Sequence, residues 1–99
     1  MKLDFLDTAK IEFVETVKFY NLQCVGLGFD FELAVKDALS RILEYPEAWV
    51  KISRRTRRCQ VKRFPYGIIY QIQGDFILVV VVHHLHRAPG SWMNRVKLR

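Results

Sequence analysis

The spacing of apolar residues changes three times along this chain, and each change marks an element. Residues 2–6 alternate polar and apolar, with Leu3 and Phe5 on one side, and predict a short edge strand. Over residues 9–23 the repeat lengthens. Ala9, Phe13, Val17 and Tyr20 recur at helical spacing and predict a buried stripe, with Lys10 and Glu15 facing water. Asp7 and Thr8 stand where helix-capping side chains are favoured. The Gly-Leu-Gly at 26–28 interrupts the pattern, because glycine admits positive φ. A second helix follows over residues 29–43, with Phe31, Val35, Ala38, Leu39 and Ile42 as its apolar face, and Tyr45-Pro46 stops it. The charged outer faces of both helices are expected to be plain solvated surface.

The final third reads as strands. Residues 57–64 put Cys59, Val61 and Arg63 on one face and Arg58, Gln60 and Lys62 on the other. After Pro65, residues 66–73 resume a β-branched and aromatic pattern. Gly74-Asp75 then marks a turn into residues 76–84, the most apolar strand and the expected central one. The order strand, helix, helix, three strands predicts one α+β domain over residues 1–99. In it an N-terminal edge strand and a helical hairpin pack on a twisted antiparallel β-sheet. Residues 87–99, polar and basic around Trp92, are expected to form a loop or short helix. Tyr70 and Trp92 are expected in the core rather than stacked on bases.

Ninety-nine residues support a single modest core. The longest apolar run, residues 76–82, has strand length, so no membrane span is expected. Acidic residues near the N-terminus speak against a signal peptide. Cys24 and Cys59 lack metal-ligand spacing and read as reduced thiols of a cytoplasmic protein.

Charge alters this picture. Residues 1–48 carry five Lys or Arg against nine Asp or Glu, a net of −4; residues 49–99 carry eleven against one, a net of +10. Such segregation points to a phosphate backbone or an acidic protein segment as partner. The densest cluster is Arg54, Arg55, Arg57 and Arg58, flanked by Lys51 and Lys62. With His86, these cations are the candidate nucleic-acid contacts; as a solvated loop they would do nothing more.

Four stretches, Arg57 to Tyr70 (RRCQVKRFPYGIIY), His84 to Trp92 (HLHRAPGSW), Tyr20 to Gly28 and Tyr45 to Trp49, together resemble the RelE/ParE family of bacterial toxins. The resemblance spans almost the whole chain. It implies a small antiparallel sheet backed by a helical hairpin, and a two-gene module whose cognate antitoxin wraps and neutralises the toxin. RelE-like members cleave messenger RNA on the ribosome, whereas ParE-like members poison DNA gyrase without nuclease chemistry. The shared fold leaves the choice to the site.

Cleavage of RNA through its 2′-hydroxyl needs a proton acceptor, a proton donor and cations for the phosphorane. Arg58, Arg63, His84 and Arg87 are the candidate catalytic set, provided the strands bring them together. A histidine at a strand end is equally a structural hydrogen-bonder. Three histidines at 83, 84 and 86 have no carboxylate or thiolate nearby in sequence, so neither metal nor cofactor is expected. Two departures weigh against the nuclease. Ser91 stands where an aromatic commonly precedes the tryptophan, and the C-terminal tail has no tyrosine. Because proton carriers and cations coexist, the sequence still leans slightly toward ribosome-associated mRNA cleavage, with a gyrase poison or a degenerate antitoxin-binding module as alternatives.

Overall fold

The computed structural model describes residues 1–86 and Arg95. The elements are β1 (Lys2–Phe5), α1 (Asp7–Gln23), α2 (Leu27–Glu44), β2 (Val50–Lys51), β3 (Arg57–Gln60), β4 (Tyr66–Gln73) and β5 (Phe76–His84). They form a five-stranded sheet in the order β1-β5-β4-β3-β2, with both helices packed on one face. The expected α+β architecture holds. The sheet is mixed rather than purely antiparallel, because β1 joins β5 in parallel, Lys2 opposite Phe76 and Phe5 opposite Val79. The helical hairpin and strands β2 to β4 lie between them in the chain and supply the long connection that parallel pairing requires.

The first helix begins two residues earlier than its stripe suggested. Leu6, extended at φ −62° and ψ 148°, is its N-cap, and no side chain caps it. Asp7 therefore does not cap; it occupies the first turn, where its charge complements the helix dipole. At the hairpin Gly26 takes φ 88°, the left-handed conformation that caps α2. Asn21 of α1 then accepts the Gly28 N–H at 2.8 Å, so one helix satisfies an orphan donor of the other. The helices approach most closely here. A Cβ on Gly28 would lie 2.6 Å from Asn21 Cγ and closer still to the Val17 carbonyl oxygen.

The helix-side core joins Ala9, Phe31, Val35, Ala38 and Ile42 to Cys59, Ile68, Tyr70, Ile77, Val79 and Val82. The other face of the sheet buries Ile69, Leu78, Val80 and Val81, with Ile52 and Phe76 packed against them. Burial on both faces explains the uninterrupted apolar run of β5. A bulge pairs Ile69 with Val81 but Tyr70 with Val79, leaving Val80 unpaired. Val80 and Val81 consequently fall on the same face.

Two sequence readings need correction here. The third strand ends at Gln60, not at residue 64, and residues 61–65 turn tightly, with Val61 N–H bonded to the Tyr66 carbonyl at 2.8 Å. The outer faces of the helices are not merely charged: Ile11, Val14, Leu22, Val25, Phe29 and Leu33 are all exposed. Both cysteines are free thiols, as expected. Among the described residues, no helix is long and apolar enough to cross a membrane.

Candidate functional site

The basic surface is built on β2, β3 and the short loop joining them. Ile52 N–H bonds to the Thr56 carbonyl at 3.0 Å, and the Ser53 and Thr56 hydroxyls share a hydrogen bond at 2.5 Å. This closure leaves Arg54 and Arg55 exposed at the tip, beside exposed Lys51. Arg57 is committed elsewhere. Its Nη1 donates to the Glu47 carbonyl at 3.0 Å and the Trp49 carbonyl at 2.8 Å, tying the α2–β2 connection to the sheet. The same connection is held by the buried Tyr70, whose hydroxyl donates to the Pro46 carbonyl at 2.6 Å. Burial pushes the Tyr70 phenol up to about 12, against a smaller lowering by Arg57.

The tip and the outer half of β4 enclose a cleft of about 470 Å³. Lys51, Arg54, Arg55 and Arg57 line it on one side, and Gln71 and Gln73 on the other. The polar Gln71 and Gln73, two apart in an otherwise apolar strand, were a legible sign that this end of β4 faces something other than core.

Of the candidate catalytic residues, the three described ones stand on different parts of the sheet. Arg58 lies opposite Ile69 and on the sheet face away from the helices, where its side chain crosses Gly67. A Cβ on Gly67 would stand 2.9 Å from Arg58 Cδ, so glycine makes room for that crossing. His84 lies on the helix face. Its ring meets Tyr66 edge-on at 5.0 Å, and Tyr66 in turn packs on Phe31 at 5.2 Å. The His84 Nδ1 accepts the backbone N–H of His86 at 3.1 Å, and the two imidazoles lie 5.4 Å apart. His83 is buried on the opposite face.

Arg63 belongs to neither face. It sits in the 61–65 turn at φ 72°, exposed, with its guanidinium 5.9 Å from the Phe64 ring. Lys62, next to it, is also exposed. Arg87 lies outside the described residues. His84 and Arg58 thus extend from opposite faces of the sheet.

The helical hairpin contributes a second surface. Leu22 and Val25, at 85% and 96% exposure, stand at the hairpin end, and Val14 and Ile11 on α1 and Phe29 and Leu33 on α2 are exposed apolar residues of the same two helices, together called the apolar ridge below. The inner stripe of α1 already fills the core, so the chain places apolar residues on both sides of this helix. An exposed ridge of this kind marks an interaction surface.

Comparison with known proteins agrees with this architecture. Residues 3–89 match the family model described as the ParE toxin of the type II toxin–antitoxin system parDE. No curated protein matches the sequence. Among solved structures, the chain is similar to one from the chromosomal ParDE toxin–antitoxin system of P. aeruginosa. The TM-score is 0.76 at 10% sequence identity, covering 87% of this chain and 97% of that one. At that identity the likeness concerns the fold.

Proposed function

The chain belongs to the ParE toxin family of type II toxin–antitoxin systems, and from that premise we propose that it arrests growth by binding its target, DNA gyrase, without cleaving RNA. The observation that carries this reading is the separation of His84 from Arg58 by the sheet. A nuclease needs its proton carrier and its phosphate clamp around one scissile bond. Here the imidazole of His84 packs on Tyr66 with Nδ1 occupied, and the arginine lies on the far side. A binding toxin needs neither group placed for proton transfer. It needs exposed surface, and the chain presents two: the basic tip at Arg54 and Arg55 and the apolar ridge of the hairpin. The ridge fits the amphipathic segment of an antitoxin, the partner that such a module encodes.

The test is pulse labelling of DNA and protein synthesis after induction without antitoxin, using the wild-type chain and His84→Ala. DNA synthesis should fall first, and the variant should arrest growth as the wild type does. Purified gyrase should lose supercoiling activity in the presence of either protein. An early collapse of protein synthesis with new 5′ ends in messages, abolished by His84→Ala, would establish RNA cleavage instead. Arrest of neither process would leave a module that only binds antitoxin.

A further inference from the structure

The cleft beside the basic tip is lined by a buried polar residue with an unpartnered donor. Gln71 is 3% exposed. Its Oε1 accepts a hydrogen bond from Gln73 Nε2 at 2.7 Å, while its own Nε2 has no partner. Buried amide donors are almost always paired, and one left open carries a desolvation penalty. Gln71 lines the cleft, and because its Nε2 is shut off from solvent as it stands, a ligand there meets the open donor once the side-chain amide turns toward the cleft.

The remaining lining specifies the ligand's charge. Lys51, Arg54, Arg55 and Arg57 all border the cleft, and no Asp or Glu does. Arg57 is held by two carbonyls and adds charge from the wall. Among the described residues Arg54 and Arg55 have no ion-pair partner, which leaves both guanidinium forks available. A site with donors on several sides and no acidic group fits an anion with several acceptor oxygens. Arginine forks match phosphate in particular. A volume of about 470 Å³ exceeds that of one phosphate and leaves room for an attached sugar against Ile72.

We propose that this cleft binds a phosphate group, with Gln71 Nε2 as the buried donor and Arg54 and Arg55 as the charged clamp. A nucleic-acid backbone and a terminal phosphate present the same oxygens. The clamp shares Arg54 and Arg55 with the basic tip, and its test reads phosphate binding directly, so it can fail or hold whichever macromolecule the toxin poisons.

The experiment is an NMR titration of the ¹⁵N-labelled full chain, following the Gln71 side-chain amide and the Arg54 and Arg55 Nε–H signals. Three titrants are compared at matched ionic strength: inorganic phosphate, the dinucleoside monophosphate TpT, and sodium chloride. Phosphate or TpT should shift these signals saturably, and chloride should not. Saturation by TpT assigns the site to a backbone phosphodiester, and saturation by inorganic phosphate alone assigns it to terminal phosphates. Gln71→Leu should weaken binding about fivefold or more, as the loss of one hydrogen bond to a charged group implies. Its thermal midpoint in phosphate-free buffer should hold or rise, because the open donor is gone. The exposed Arg54→Ala and Arg55→Ala variants, which do not disturb the core, should each weaken binding by a similar factor. No saturable Gln71 shift with either phosphate ligand, an equal shift with chloride, or unchanged affinity in these variants would overturn the proposal.

Discussion

Glu12 and Arg95, 83 positions apart, meet as a two-bonded ion pair. Arg95 Nη1 donates to Glu12 Oε1 at 3.1 Å and Nη2 to Oε2 at 3.0 Å. The pair does more than neutralise charge. Pairing of β1 with β5 stops at Val79, and beyond it Arg95 Nη1 donates to the Val80 carbonyl at 3.0 Å while Glu12 Oε1 accepts the Val82 N–H at 3.2 Å. Two side chains thereby continue the hydrogen bonding of an edge that has lost its neighbouring strand.

Arg95→Met should therefore cost more than an ordinary surface ion pair. Both side chains are largely shielded, at 25% and 17% exposure. A loss of about 1–3 kcal/mol is expected, the range for hydrogen bonds involving charged groups. Urea unfolding should show a lower midpoint at unchanged slope. Glu12→Gln, which keeps an oxygen for Val82, should cost less than Glu12→Ala.

Tyr70 predicts a pH dependence. Its folded pKa, about 12, lies above the unfolded value of 10.0, so the folded state favours the neutral phenol. The sign follows from linkage: this contribution is complete below pH 10 and is lost as pH rises toward 12. Stability measured across that window should fall, and Tyr70→Phe should flatten the fall. The same variant leaves the Pro46 carbonyl without its donor, at a cost of about 1–2 kcal/mol near neutral pH.

Gly28→Ala should be among the most damaging single changes. Its methyl would collide with the Val17 carbonyl, a backbone atom that cannot rotate away. The helices would have to separate or Asn21 release the Gly28 N–H, and a loss of about 2 kcal/mol or more is expected from such overpacking. Thermal unfolding measures it. Gly26→Ala would strain the left-handed φ of 88° instead, with nothing in contact.

Gly67 and Arg58 should show coupling. Gly67→Ala forces Arg58 off its path across the strand, whereas in an Arg58→Ala background the two closest contacts are gone and the next, Leu85, lies at an ordinary 3.4 Å. A double-mutant cycle on folding stability should give a coupling of about 0.5–1 kcal/mol. If Arg58 also contacts the toxin's target, Gly67→Ala will reduce growth arrest in a protein that remains folded.

The apolar ridge separates folding from binding. Leu22→Lys with Val25→Lys changes side chains that are 85% and 96% exposed, so stability should move by no more than about 0.5 kcal/mol. Affinity for the co-encoded antitoxin should fall about tenfold or more if these residues anchor it. Co-expression shows the outcome directly, as arrest that the antitoxin no longer relieves.

Much of this molecule was readable from local pattern. Helical periodicity located both helices and their inner stripes, Gly26 marked the hairpin, and the run at 76–82 announced an interior strand, though β4 and not β5 is the middle one of the five. The segregated charge located the basic β2–β3 tip. Other features were not local. A strand's period of two relates residues within one strand, but between strands the face relation depends on register. The 61–65 turn set the register of β3 on β4, and with Arg58 opposite Ile69 and His84 opposite Tyr66 that register placed the two on opposite faces. The parallel pairing of β1 and the meeting of Glu12 with Arg95 are likewise long-range. Nothing in the spacing of those residues encodes them. They follow from the edge of β5, which β1 covers as far as Val79 and no longer covers beyond it.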